Sequence, residues 1–191
     1  GGYGSIYLVE EIGTNNHYAA KQMKVFNSYD DYKYFVREID IFMQVNNYCV
    51  IGFKGFSFRF DNLDIPTIFL ELAEQGSIQS KLDEARKKNP DPNWTITKRM
   101  ISLVGISYGM MQLHEKNLIH RDLKPGNVLL DSNYHPKITD FGLSKFENKN
   151  LEQSISCCGT PLYMAPEISM DSNFTNSVDV YAFAIMAYEI I

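Results

Sequence analysis

Cysteine is scarce in this sequence, and cationic residues are outnumbered. Only three cysteines occur among the 191 residues, Cys49, Cys157 and Cys158. Adjacent cysteines rarely pair, and no histidine pair stands at a metal-ligand spacing from any of them, so neither a disulfide scaffold nor a zinc site is expected. A reducing, cytoplasmic setting fits that usage best. Lysine and arginine total 18 against 23 aspartate and glutamate, giving a formal charge of -5 and a pI near 5.4. That balance argues against a general partner of nucleic acid or anionic membrane. Long apolar runs are missing too. The longest late one, residues 180–188, falls short of the ~20 residues a membrane helix needs, and no signal peptide pattern opens the chain. Internal repeats and low-complexity segments are absent. No initiator methionine precedes Gly1, and no glycine, proline or basic turn ends the apolar helical pattern at Ile191, so a fragment of a longer domain is expected.

What remains is ordinary globular material, 45% hydrophobic and 21% charged. A chain of this size buries roughly 70% of its unfolded surface, enough for one sizeable core. Residues 6–9 and 18–25 read as strands joined by the turn Gly13-Thr14-Asn15-Asn16. Period two puts Ala19, Lys21, Met23 and Val25 on one face, so a charge sits in an apolar row. A helix is expected over 28–45, with Ser28 and Asp31 as a capping box. Phe35, Glu38, Ile39 and Phe42 share its buried face, where Glu38 needs a cationic partner unless it reaches water at the edge. Two more strands, 50–60 and 67–72, flank a polar turn at Asp61-Asn62. Residues 97–114 carry two ridges, one of Met100, Leu103, Ser107, Met110 and His114, the other of Ile101, Val104, Tyr108 and Met111. Together they predict a helix buried all round. Short strands are expected at 118–119, 128–130 and around 137–139, and a last helix from Ser177. Strands with one helix, then mostly helix, predict two unequal lobes with a cleft where they meet near 71–76.

Three clusters in this frame carry chemistry. His120-Arg121-Asp122-Leu123-Lys124-Pro125-Gly126-Asn127 resembles the catalytic loop of eukaryotic-type protein kinases. Asp140-Phe141-Gly142 resembles their metal-binding motif, and Ala165-Pro166-Glu167 the motif that closes the activation segment. The resemblance implies an α+β, bilobal protein-kinase-like fold: a small antiparallel β lobe with one helix over 1–72, a hinge over 73–76 and an incomplete helical lobe over 77–191. It implies ATP and Mg²⁺ as cofactors, with Asn127 and Asp140 as hard oxygen ligands for the metal. Asp122 would then be base or orienter for the acceptor hydroxyl, and Lys124 would offset charge on the moving phosphoryl group. Lys21 resembles the lysine that holds the α- and β-phosphates. Glu38, 17 residues later, stands where the family places that lysine's partner, so the two lone charges become a pair. The opening Gly1-Gly2-Tyr3-Gly4-Ser5-Ile6 resembles the end of a phosphate-binding glycine loop, in which Gly1 and Gly4 let backbone amides approach the phosphates. Ile6, Ala19 and Leu129 would sandwich the adenine, Glu71 and Ala73 would offer hinge hydrogen bonds, and Leu70 would be the gatekeeper. His120 is implied to pack behind the loop with Phe42, Phe53, Phe141 and Asp179 as an internal scaffold, not to transfer protons.

Lys124 and the run Gly159-Thr160-Pro161-Leu162-Tyr163-Met164 resemble serine/threonine kinases, and residues 179–184 resemble the tyrosine-kinase-like group. Protein substrates with serine or threonine acceptors are therefore implied, and no nucleic acid. Thr160 is expected against Asp122 and Lys124. Phosphorylation of Ser154 or Ser156 by an activating kinase is expected to order residues 140–167, with Arg121 as a cationic partner. The alternatives are a pseudokinase that binds nucleotide or partners without transfer, and an inactive truncated product. Exposed apolar residues, Phe183 and Ile190 among them, are expected on the last helix.

Overall fold

A computed structural model describes residues 4–23, 29–59, 65–146, 159–170 and 175–191. The capping residue Ser28, the turn at Asp61-Asn62, and Gly1, Ser154, Ser156, Cys157 and Cys158 lie outside them.

Strands β1 (Gly4–Glu10) and β2 (His17–Met23) form an antiparallel hairpin. Its turn turns back at Gly13, whose φ of 85° suits glycine. Glu11 ties the same turn through its carboxylate, which accepts from Thr14 (2.8 Å) and Asn16 (3.0 Å). Helix α1 (Tyr29–Gln44) follows, then β3 (Phe53–Ser57) and β4 (Thr67–Glu71). The four strands lie in the order β1-β2-β4-β3. Phe35, Ile39, Phe42 and the charged Glu38 are all buried on the inner stripe of α1, as the 3.6-residue period requires.

The helical part opens with α2 (Ile78–Arg86), which the sequence reading did not foresee. Its capping is local and clear: Ser77 accepts from the Ser80 N–H at 3.1 Å, after Gly76 at φ 74°. Its apolar pattern is faint, however, since Ile78, Lys81 and Leu82 are its buried residues. Next come α3 (Ile96–Glu115), capped by Thr95, and β5 (Leu118–Ile119). The small hairpin β6 (Val128–Leu130) and β7 (Pro136–Ile138) follows, then β8 (Lys145–Phe146), which pairs with β5. Helices α4 (Glu167–Met170) and α5 (Ser177–Ile190) complete the described residues. The main core runs through α1, the sheet, β5–β7, α3 and α5, with Ile68, Leu113, Leu118, Leu123, Leu130, Ile138 and Met186 at 0% exposure.

Two expectations need correction. Helix α3 is not buried all round: Leu103, Ile106, Gly109, Met110 and Leu113 are covered, whereas Ile101, Val104, Tyr108 and Met111 are 46–67% exposed. Its contacts among the described residues are chiefly with β5, β7 and α5, and they cover one stripe. On that stripe α3 closes tightly on β7. A Cβ on Gly105 would lie 2.5 Å from Pro136 Cγ. On α5, Ile190 is not exposed but fully buried in the main core, and Phe183 is half-buried; Val180, Tyr181 and Tyr188 are the exposed large apolar residues.

The two parts are stitched by backbone. Ile51 N–H donates to Ile138 C=O (2.9 Å), and Ile138 N–H to Cys49 C=O (2.7 Å). Near α2, Leu130 N–H donates to Gly76 C=O at 2.8 Å.

Candidate active site

Strand β2 places Lys21 opposite Ile6 on one side and Ile68 on the other, with Ala19 beside Leu8 and Leu70. Residues directly opposite or two apart share a sheet face, so Ile6, Leu8, Ala19, Lys21 and Leu70 line one surface. From it the Lys21 ammonium reaches Glu38 Oε1 at 2.7 Å and Asp140 Oδ1 at 3.0 Å. The α1 stripe thus delivers a buried carboxylate to the Lys21 cation. Burial disfavours the charged Lys21, but the two carboxylates outweigh it and raise its pKa. Burial pushes the Glu38 carboxyl up, and Lys21 offsets part of that. For Asp140 burial works in the same upward direction, yet Lys21 overcomes it and holds the carboxyl below the usual range.

Asp140 sits at φ 67°, ψ 69°, a left-handed backbone that turns the chain into the 3₁₀ segment Phe141–Leu143. Phe141 is driven inward by that turn. It meets Phe42 edge-on at 5.3 Å, and Phe42 stacks on Phe53 at 5.6 Å. His120, fully buried, lies 5.3 Å from the Phe141 ring. Its Nδ1 accepts the Asp122 N–H and its Nε2 faces Thr139 C=O at 3.1 Å, a pattern that assigns the ring proton to Nε2. Beneath it Asp179, 1% exposed, accepts from the His120 N–H (2.8 Å) and the Arg121 N–H (2.9 Å). Phe53, Phe42, Phe141, His120 and Asp179 therefore form one continuous contact line from the sheet to α5. A further partner of Asp179 escaped the sequence reading. His114 Nε2 lies 2.9 Å from its Oδ2, and periodicity had marked this histidine only as part of a ridge.

The catalytic-loop candidates converge beside this line. Asp122 Oδ2 accepts from Lys124 Nζ (2.6 Å) and Asn127 Nδ2 (2.9 Å). Asn127 Nδ2 also donates to Asp122 C=O at 2.8 Å, so the amide oxygen of Asn127 is the atom left for another ligand. The second Asp122 oxygen, Oδ1, accepts from both the N–H and the hydroxyl of Thr160, each at 3.1 Å. Lys124 Nζ meets the same hydroxyl at 2.7 Å. Arg121, at φ 67°, aims its guanidinium at Leu143 C=O through Nε.

The adenine-site candidates are less closely knit. Ala19 and Leu129 are half-buried against the core, whereas Ile6 is 71% exposed. Glu71 donates its N–H to Gly52 C=O (2.8 Å), and its carboxylate pairs with Lys137 (2.8 Å). Ala73 follows at the junction, half-buried. Gly4 starts β1 opposite Met23, where an added Cβ would come 2.0 Å from Gln22 C=O, so only glycine fits. No helix among the described residues is long and apolar enough to cross a membrane.

Known proteins resemble the chain along its length. The chain is 32% identical over 197 residues to the dual specificity protein kinase shkB of Dictyostelium discoideum, covering 100% of this chain and 28% of that protein. It is 31% identical over 192 residues to myosin light chain kinase A of the same organism, covering 98% of this chain and 62% of that protein. A third relative is the Arabidopsis thaliana protein named probable leucine-rich repeat receptor-like serine/threonine-protein kinase At3g14840, at 32% over 195 residues and 18% of its length. The chain thus spans 18–62% of the length of these relatives. The protein kinase domain family matches residues 1–191, the whole of the chain. With that match, and with Lys21, Glu38, Asp122, Asn127 and Asp140 gathered as described, the chain belongs to the protein kinase domain family.

Proposed function

We propose that this domain transfers the γ-phosphoryl group of ATP to serine or threonine hydroxyls of protein substrates. The observation that carries the reading is the pairing of two charge systems: Lys21 between Glu38 and Asp140, and Asp122 with Lys124 around a threonine hydroxyl. The second system already handles a hydroxyl. Thr160 Oγ1 donates to Asp122 Oδ1 while receiving from Lys124, which is the contact an acceptor hydroxyl needs before its proton leaves.

The residues present fit Mg²⁺, which takes hard oxygen donors and keeps its remaining positions for phosphates and water. Asn127 would offer its amide oxygen, since its nitrogen is committed to Asp122, and Asp140 would offer its carboxylate. Bound there, the metal supplies charge neutralisation for the phosphates. The chain's own residues do the rest. Lys21 orients the α- and β-phosphates, Glu38 keeps Lys21 from closing fully onto Asp140, and Lys124 offsets charge on the moving group. Asp122 orients the acceptor hydroxyl and takes its proton. Ile6, Ala19 and Leu129 hold the adenine, with Glu71 and Ala73 at the hinge and Gly1 and Gly4 over the phosphates. We also place the domain in the cytoplasm, on its sparse cysteines, and assign Ser154 or Ser156 as the target of an activating kinase.

The test is transfer from labelled ATP with Mg²⁺ onto mixed basic proteins by the full-length protein, beside Asp140→Asn, followed by analysis of the labelled amino acid. Label on serine or threonine that the variant loses is the expected result. Label on tyrosine alone would overturn the acceptor assignment. A folded protein that binds nucleotide and transfers nothing, even after activation-segment phosphorylation, would overturn the enzymatic reading.

A further inference from the structure

Glu38 and the catalytic loop come from distant parts of the chain, and one exposed lysine joins the elements that carry them. Lys116 Nζ donates to the Gln44 carbonyl at 2.6 Å, across 72 residues of sequence. Gln44 is the last residue of α1, and the last turn of that helix holds no basic residue of its own. The final carbonyls of a helix lack intrahelical donors and carry the negative end of its dipole, so an ammonium there fills a hydrogen bond and meets a favourable field. Gln44 leaves that carbonyl to the lysine, since its own amide turns back to Asp40 C=O at 3.1 Å.

The other end of this link is firmly held. Lys116 caps α3, with its N–H on Leu113 C=O at 3.0 Å, and Asn117 N–H closes on His114 C=O at 2.8 Å. From there β5 runs directly into His120, whose N–H rests on Asp179 together with the His114 ring. Other ties from α1 to this region include the Phe42–Phe141 ring contact and the Glu38–Lys21–Asp140 chain of ion pairs. The ring contact acts in mid-helix, whereas a hydrogen bond to the terminal carbonyl adds a directional tie at the end of the helix.

We infer that Lys116 is a positioning residue: it caps α1 from the catalytic-loop side and thereby keeps Glu38 on Lys21. Its activity arm rests on the phosphotransfer reading; its structural arm does not. In the full-length protein, Lys116→Met speeds hydrogen exchange of the amides at 41–45 and lowers kcat about two- to fivefold, the range expected of one exposed charge–dipole cap. Lys116→Arg, which keeps the charge and the donor, restores both. Raising salt moves the unmodified protein toward the Lys116→Met values, because an exposed cap is screened. Unchanged exchange in α1 of Lys116→Met would overturn the inference. So would a loss that Lys116→Arg fails to restore while the thermal midpoint falls, since the lysine would then serve only the corner between α3 and β5. An unmodified protein that transfers no phosphate would sink the phosphotransfer reading and leave the exchange arm to decide the cap.

Discussion

Asp122 accepts four side-chain and backbone donors on two oxygens, from Lys124, Asn127 and Thr160. An Asp122→Asn side chain keeps the volume but loses the charge and the proton acceptor. We expect kcat to fall about 10²- to 10⁴-fold, the usual worth of a positioned general base, with nucleotide affinity nearly unchanged. Steady-state kinetics beside a nucleotide titration checks the split. Asp91 makes a different prediction, concerning stability. Its carboxylate accepts from Lys81 (2.8 Å) and Tyr134 Oη (2.7 Å), and its pKa is lowered to about 2, first by the Lys81 hydrogen bond. A depressed carboxyl pKa gives stability that is fully present above the unfolded value near 3.8 and is lost as pH falls toward about 2. Urea unfolding should therefore separate the unmodified protein from Asp91→Asn at pH 6 and bring them together near pH 2; a gap that stays constant with pH would count against the ion pair. Nothing in the sequence flagged Asp91, because its partners come from α2 and from Tyr134, 43 residues away.

Among the elements, α1 was the most legible and α3 the least faithful to its pattern. The α1 stripe reads directly from Phe35, Glu38, Ile39 and Phe42 because a helix against a sheet buries one face, and the period reports which. Helix α3 is apolar on two ridges, yet the covered stripe, Leu103, Ile106, Met110 and Leu113, coincides with neither, and Met100 of the first ridge is itself 48% exposed. Periodicity tells which residues share a face but not how many faces find neighbours. What the pattern concealed, the glycines reveal. A Cβ on Gly105 would sit 2.5 Å from Pro136 Cγ and 3.1 Å from its Cδ, and a proline ring cannot swing aside. Alanine's better helix propensity offers about 1 kcal/mol, but overpacking costs roughly 1–3 kcal/mol. Gly105→Ala should lower the thermal midpoint by a few degrees, measured by calorimetry, instead of raising it as propensity alone predicts.

On the scale of the whole molecule, the two parts are held by backbone bonds at Ile51 and Ile138, by Lys116 on α1 and by Lys137 on Glu71. The Lys137–Glu71 pair spans 2.8 Å with both side chains largely covered, at 12% and 28% exposure. A double-mutant cycle with Lys137→Met and Glu71→Gln should give a coupling of about 0.5–1 kcal/mol in urea unfolding; additivity would mean the pair adds nothing to the junction. The sequence by itself determined the order of β1 to β7 with α1, α3 and α5, the α1 stripe, and the presence of Lys21, Glu38, Asp122, Asn127 and Asp140 at telling spacings. Those are local properties, carried by period, turn chemistry and short-range motif. Thr160 was already expected against Asp122 and Lys124, but only the tertiary structure decided that one ammonium stands between Glu38 and Asp140. It likewise decided that α3 keeps one apolar ridge uncovered, and that a lysine after α3 caps α1. Each of these depends on contacts between residues many tens of positions apart, and no local pattern encodes such distances because packing, not propensity, sets them.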